Sequence, residues 1–328
     1  MPFGRVLTFN DPEPYRTAIR SAEVDLFVTK KGKFHAELTQ VQLHKLSIQR
    51  RHERLPRMVR ANVQANRAAF GFLIGEHAAP IRHCGLDLSP GDMIVHGSSA
   101  EFHRQSSGPS SFASISLSSD DFASVSHALV GRELTVSPIT HLIRPPHARM
   151  SRLSVLHQAI GELVRTDPER LAHPEPARAL EEALLHAILT CLTEGIVTET
   201  SRHGVRHSRV MSRLEEFLAR KQHEPVYLAE LCAATGASER TLRASCHEHL
   251  GMGPMRYLWL RRMHSAHRAL VRADPAIITV TEVATNHGFW ELGRFAVEYR
   301  KLFGETPSAS LRRPAHEQQT RPAHPIAL

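Results

Sequence analysis

Two spacings of apolar residues divide this chain. From about residue 34 to 118 the spacing is two: Phe34, Ala36 and Leu38 alternate with polar neighbours, and Val41, Leu43, Ser47 and Gln49 continue the pattern less cleanly. Alternation of this kind puts every second side chain on one face of a sheet and predicts half-buried strands. Further strands are expected at 58–63, 69–75, 81–86, 92–96 and 112–117, with Leu88-Ser-Pro-Gly-Asp92 as a turn between two of them. Many short strands with regular turns predict a β-sandwich or small barrel. Residues 1–30 read as a lead-in containing one short helix at 15–22.

After Pro145-Pro146 the spacing becomes helical. Leu153, Leu156, Ile160 and Leu163 line one face of a helix expected at 148–166. A second helix, at 176–195, carries Leu180, Ala183, Leu184, Ala187, Ile188 and Cys191 on one face and Leu185, Leu189 and Leu192 on another. So wide an apolar arc exceeds what one core contact needs. Either the helix packs between the barrel and a neighbouring element, or Leu185, Leu189 and Leu192 form an isologous dimer seam. The polar stretch 198–207, with Gly204, predicts a linker at 201–210. A helix at 211–221 then opens the C-terminal region, with Leu214, Phe217 and Leu218 inward.

From 226 to 311 one pattern of turn and helix occurs twice. Gly236 corresponds to Gly288 at an offset of 52; Cys246, Gly251 and Pro254 correspond to Tyr299, Gly304 and Pro307 at an offset of 53. Repetition at this scale marks a duplicated supersecondary unit. Each copy reads as a helix-turn-helix, at 228–249 and 280–303. The Gly supplies the positive φ of the turn, Ser238 suits an N-cap, and Thr279 with Glu282 has capping-box spacing. Between the copies, Met255, Leu258, Trp259, Met263, Ala266 and Leu270 share a helical face, and Pro254 suits the first turn. Twenty helical residues make a rod of roughly 30 Å, close to the ~34 Å of one turn of B-DNA.

Composition and charge sharpen this picture. The chain has 328 residues, a net charge of +8 and 41% apolar residues, an ordinary globular balance. Residues 201–328 hold 19 Lys and Arg against 12 Asp and Glu, a net of +7, while residues 1–200 hold 22 against 21, a net of +1. The basic excess therefore sits with the duplicated unit, as phosphate neutralisation would require. The four cysteines are scattered without a Cys-x-x-Cys pair and read as small core residues of a reducing compartment. Without a signal-peptide pattern or an 18-residue apolar run, a cytoplasmic protein that does not enter a membrane is expected. Arg-Pro-Ala-His recurs at 313–316 and 321–324, and the Pro-rich tail 314–328 is expected to be disordered.

Gly288-Phe289, Phe295, Tyr299, Phe303-Gly304, Pro307-Ser308 and Leu311, together with the segment Trp290-Glu-Leu-Gly-Arg-Phe-Ala296, resemble the DNA-binding domain of the AraC/XylS family of transcriptional regulators. The resemblance covers about residues 208–313. In the first copy Arg240, Thr241 and Leu242 match, whereas Ala244 stands where family members often have Arg, Cys246 where they usually have Phe, and Val297 replaces a common polar or basic reader. The resemblance implies an N-terminal sensor domain of cupin type at 1–145, to which the Leu-x-Pro-Gly-Asp turn is also similar. It further implies a dimerising helical hairpin at 146–200, a DNA-binding domain at 211–313, and contact with RNA polymerase in activation. The expected fold class is α+β in two domains: an N-terminal β-barrel or jelly roll with a helical hairpin, then an all-α double helix-turn-helix.

Double-stranded DNA is the expected partner. Arg240 and Arg243, in the front half of the first recognition helix, are candidates for bidentate contact with guanine, and equally for phosphate contact. Ser238 and Thr241 flank them, and Thr241 suits a thymine methyl. In the second unit Glu291, Leu292, Gly293 and Arg294 open the helix. Phosphate is the expected target of Arg294, and an apolar base contact that of Leu292, so the first unit is expected to carry most of the specificity. Trp290 reads as packing beside a turn. Catalytic motifs, a metal site and cofactors are not expected. The histidines His35, His44, His77, His83, His96 and His103 contain no His-x-His, and His247-Glu-His249 lies at the end of a recognition helix. The alternatives are a cupin-type small-molecule enzyme with an appended DNA-binding domain, and a DNA binder without sequence preference. A homodimer and a small-molecule effector of unidentified chemistry complete the expectation.

Overall fold

A computed structural model describes residues 2–20, 22–75, 80–97, 101–198, 202–221, 226–313 and 321–322. Its N-terminal elements run β1 (Phe3–Phe9), α1 (Pro12–Ala18), β2 (Ala22–Val28), β3 (Ala36–Gln42), β4 (Ser47–Glu53), β5 (Arg57–Val63), β6 (Arg67–Leu73), β7 (Ile81–His83), β8 (Leu86–Leu88), β9 (Met93–His96), β10 (Glu101–Ser106), β11 (Ser110–Ser118), α2 (Ser119–Val130) and β12 (His141–Arg144). A helical hairpin, α3 (His147–Thr166) and α4 (Pro174–Glu194), leads to β13 (Ile196–Thr198). The chain ends in seven helices, α5 (Arg202–Arg220), α6 (Leu228–Thr235), α7 (Glu239–Leu250), α8 (Pro254–Arg272), α9 (Val280–Asn286), α10 (Leu292–Phe303) and α11 (Pro307–Leu311), and β14 (Arg321–Pro322).

The strands make two antiparallel sheets, ordered β13-β12-β9-β6-β11-β4-β3-β1-β14 and β2-β5-β10-β7-β8. Leu7, Phe9, Tyr15, Val24, Leu26, Val59, Ala61 and Phe102 fill the space between them. The larger sheet buries its other apolar residues against α2, α3 and α4 in a second core that includes Phe70, Phe72, Ile115, Leu153, Ile160, Leu184 and Ile188. The α+β, two-domain architecture follows: facing sheets with a helical hairpin, then an all-helical region.

Several expectations are corrected. Residues 1–30 are not a lead-in but supply β1 and β2, and β10 and α2 also escaped the pattern. The reason for β10 is that Arg104 is as buried as Phe102, so polarity no longer reports which face a residue occupies. The single strand expected at 81–86 is a β7–β8 hairpin, because Cys84 and Gly85 both take positive φ, 49° and 82°. The linker expected at 201–210 is helical from Arg202 onward and continuous with the opening helix. Burial of Val210, Met211, Leu214 and Leu218 against the helix-turn-helix core gives that helix its inner face. Most of the tail expected to be disordered lies outside the described residues, and Arg321 and Pro322 pair with Thr8 and Leu7.

The dimer seam expected at Leu185, Leu189 and Leu192 is corrected too. Leu185 and Leu189 are 7% and 3% exposed and belong to the chain's own core, with Leu192 packed against it. The wide apolar arc of α4 is used twice within one chain. Glu181 fixes the helix by accepting from the backbone N–H of Lys45 (2.8 Å) and Leu46 (3.1 Å) at the β3–β4 turn.

Candidate nucleic-acid interface

Each helix-turn-helix is built by short-range chemistry. Gly236 and Gly288 take φ of 64° and 76° at the two turns, a region that costs a residue with Cβ 1–2 kcal/mol or so. An arginine of the preceding helix backs each turn: a Cβ on Gly236 would meet Arg213 Nη1 at 3.1 Å, and one on Gly288 would meet Arg262 Nη1 at 3.1 Å. The repeat therefore includes the helix before each pair, so that α8 both separates the units and opens the second. Ser238 Oγ caps α7 by accepting from the Thr241 N–H at 3.3 Å, and Thr279 and Glu282 form the expected capping box on α9.

Behind the second turn, Phe289, Phe295, Tyr299 and Phe303 stack in sequence with ring centroids 4.6–5.5 Å apart. Tyr299 donates to Ser310 Oγ at 2.7 Å, and His267 Nδ1 lies 2.6 Å from the Tyr299 hydroxyl. The rod α8 differs from the expected face: Met255 is exposed, while Tyr257, Leu260, His264 and His267 join the buried set. The helix is wrapped on more than one side, since Phe27 of β2 meets Tyr257 and His264, and His264 Nε2 lies 3.1 Å from the Val28 carbonyl oxygen.

This packing leaves the front of each second helix in solvent. On α7, Ser238, Glu239, Arg240 and Arg243 are exposed and Thr241 half-buried. Arg243 is held by Glu239, with Nε 2.8 Å and Nη2 2.7 Å from Oε1, so any base contact must be exchanged for that pair. Ser238 is occupied as the cap. Leading into α10, the whole run Trp290–Arg294 is exposed, and Arg294 makes a loose pair with Glu291 at 3.7 Å. The reading of Trp290 as packing is corrected: it is 79% exposed, with Leu292 and Val297 also exposed nearby. Trp290, just before α10, and Leu292, in its first turn, are exposed apolar side chains of the kind that suits thymine methyl groups, which only the major groove displays. Nineteen residues of α8 give a spacer of about 28 Å.

The back half of α7 faces the β-domain instead. Gln105 Nε2 donates to the Glu248 carbonyl at 3.3 Å, and His207 Nδ1 lies 2.5 Å from Glu248 Oε2. Beside it, Glu215 of α5 collects Arg261 Nη1 (2.5 Å) and the Tyr257 hydroxyl (2.6 Å) from its own domain, and Arg60 Nε (3.0 Å) and His103 Nε2 (3.1 Å) from the β-domain. Burial alone would raise the Glu215 carboxyl; His103, Arg261 and Arg60 overcome it and hold the group at about 2. Glu101, His103 and Glu215 have ligand atoms within 4.8 Å of one another, but Arg60 and Arg261 already neutralise the carboxylates, which leaves little attraction for a cation. Of the histidines considered for a metal, His77 lies outside the described residues, and His83, His96 and His103 are buried separately from His35 and His44.

A family model described as a helix-turn-helix domain matches residues 231–313. The chain is 34% identical over 146 residues to the probable thc operon regulatory protein of Rhodococcus erythropolis, covering 44% of each. It is 34% identical over 125 residues to XylDLEGF operon transcriptional activator 2 of Pseudomonas putida, covering 38% of this chain and 80% of that protein. The chain belongs to the AraC/XylS family of transcriptional regulators. A solved structure of a probable AraC family transcriptional regulator from Rhodopseudomonas palustris CGA009 is 35% identical, covering 32% of this chain and 98% of that one, with a TM-score of 0.30. For this family member the match to the first relative spans under half of that relative's length, and the family model begins within α6 and stops after α11. Among the described residues no helix is long and apolar enough to cross a membrane.

Proposed function

We propose that this chain is a sequence-specific DNA-binding regulator of transcription initiation that lays α7 and α10 in successive major grooves on one face of the duplex. The observation that carries the reading is the duplicated unit: two helices with solvent-exposed fronts, joined by a rod packed on both units whose length of about 28 Å is near one helical repeat of DNA. The +7 charge of residues 201–328 supports it, since phosphate neutralisation supplies the sequence-independent part of affinity. Arg240 and Arg243 are assigned to the first element, and Trp290, Leu292 and Arg294 to the second. Two of the similar proteins are named as transcriptional activators, which favours activation, with RNA polymerase as partner, over repression. Control by an effector bound to the β-domain, self-association through a surface other than the buried face of α4, and a cytoplasmic location belong to the same proposal.

Selection from a random DNA pool with the purified chain, at near-physiological salt, tests this. Paired elements centred about 10 base pairs apart are expected. An Arg243→Ala variant should relax one position of the first element at a cost of about 1–3 kcal/mol. Even weakening at all sites would reassign Arg243 to phosphate, and a pool that shows no enrichment at either low or near-physiological salt would sink the reading.

The second element has its own test. Exchange of thymine for uracil removes only a methyl group. Each methyl in contact with Trp290 or Leu292 should cost the wild-type protein about 0.8 kcal/mol. The same exchange should cost a Trp290→Ala/Leu292→Ala variant nothing. Equal losses in both proteins would remove the apolar reading from α10.

A further inference from the structure

The front of α7 carries a carboxylate where a duplex would bring phosphates. Glu239, Arg240, Arg243 and Ala244 are the exposed residues of the first half of this helix. Ala244 has no polar group, so the side chains that face solvent here are two cationic donors and one anionic acceptor. The two arginines are not equivalent. Arg240 makes no ion pair among the described residues, whereas Arg243 places Nε (2.8 Å) and Nη2 (2.7 Å) on one oxygen of Glu239. In the second unit Arg294 lies 3.7 Å from Glu291, too far for a hydrogen bond. Arg243 is thus the arginine of the two fronts that a carboxylate clamps.

An exposed pair one helical turn apart contributes little to a fold. In a groove the same pair has a larger consequence. Base contact requires Arg243 to leave Glu239, which frees a carboxylate among acceptors: phosphate oxygens, guanine O6 and N7, and thymine O4. The donors of the major groove are the amino groups of cytosine and adenine. Adenine sets its N7 acceptor beside that amino group, while cytosine offers the donor without a neighbouring acceptor. A freed carboxylate is therefore satisfied best over cytosine. Over guanine or thymine it is left unpaired, which costs more than a contact merely missed.

We propose that Glu239 is a specificity-determining residue of the first DNA element. It holds Arg243 until a guanine takes the guanidinium, and the freed carboxylate then selects cytosine at a neighbouring position. The assignment rests on the DNA-binding reading above. Its second consequence concerns unrelated DNA, where Arg243 stays on Glu239 and the carboxylate opposes the approach of phosphates, so that binding without sequence preference is held down.

Selection from a random DNA pool at near-physiological salt, followed by affinity measurements on the enriched and on unrelated duplexes, tests this with wild type, Glu239→Ala and Glu239→Gln. Wild type should enrich cytosine beside the guanine position that Arg243→Ala relaxes. Glu239→Ala should lose about tenfold in preference for that cytosine and bind unrelated DNA more tightly than wild type. Glu239→Gln should move the preference toward adenine, whose edge a carboxamide meets with one acceptor and one donor. The second element should survive in both variants, which also reports that the helical region is folded. A residue that only stabilises the start of α7 would, when replaced, weaken every sequence alike; one that only repels phosphate would strengthen every sequence alike. Either uniform change overturns the proposal. A wild-type pool with paired elements, and a first element identical in Glu239→Ala, overturns the assignment of Glu239 and leaves the DNA-binding reading standing. A wild-type pool without paired elements overturns both.

Discussion

Exchange of Glu215 for alanine is expected to lower stability by about 3–5 kcal/mol, the usual cost of removing one partner from a buried ion cluster. The carboxylate is 1% exposed and is the shared acceptor for Arg60, His103, Arg261 and Tyr257. Without it Arg261 and Arg60 face each other across a space that water enters poorly. Because two partners come from each domain, the loss should appear twice: as a fall in the urea midpoint, and as faster amide exchange in α5 and in the back half of α7. A Glu215→Gln variant keeps the volume and one acceptor, so it should recover part of the stability. An unchanged midpoint in Glu215→Ala would show that the cluster holds nothing together.

The same residue predicts a pH dependence. Its folded value of about 2 lies below the ordinary glutamate value. A depressed carboxyl contributes stability that is complete above the unfolded value, near ~4.3, and is lost as pH falls toward 2. Wild type should therefore lose stability more steeply than Glu215→Gln between about pH 4.3 and 2. Parallel acid-unfolding curves would assign the acid sensitivity to other carboxylates.

Phe295→Ala is the second large effect. Phe295 is 2% exposed, with Phe289 and Tyr299 rings 4.9 and 5.5 Å away, and loss of a buried Phe costs about 3–5 kcal/mol. That is a large part of the 5–15 kcal/mol typical of a whole domain. The cost falls on the ring stack that orients α10, while α7 is anchored through Leu242 and Cys246 at another place in the same core. DNA selection with this variant should lose the second element and retain the first. Arg294→Ala, in contrast, touches an exposed pair worth about 0–1 kcal/mol to the fold and should weaken affinity without erasing an element. Simultaneous loss of both elements in Phe295→Ala would mean that the two units fold as one.

Much of the interface was legible in the chain because its determinants are local. Gly236 and Gly288 mark turns, Ser238 and Thr279 mark helix starts, and the 52–53-residue offset marks the duplication; each depends on residues within a few positions. The front of α7 followed from where the turn ends. The front of α10 was less legible: a tryptophan next to a turn packs in most proteins, and only the direction in which Phe289 and Phe295 turn inward leaves Trp290 in solvent.

The sequence by itself determined the two helix-turn-helix units, the rod between them, the alternating strands of the β-domain and the basic bias of the C-terminal region. Spacing along the chain encodes each of these. Tertiary structure alone decided which polar residues are buried and what they meet. Glu215 is joined to His103 across 112 positions. Arg51 and Arg104 come together over Phe112 from three different strands, and Leu185 and Leu189 are buried in the chain's own core. A charged residue in a strand looks like a solvent-facing one until the opposite sheet is placed over it. Local spacing can give the period of an element, but burial is set by contacts between distant segments.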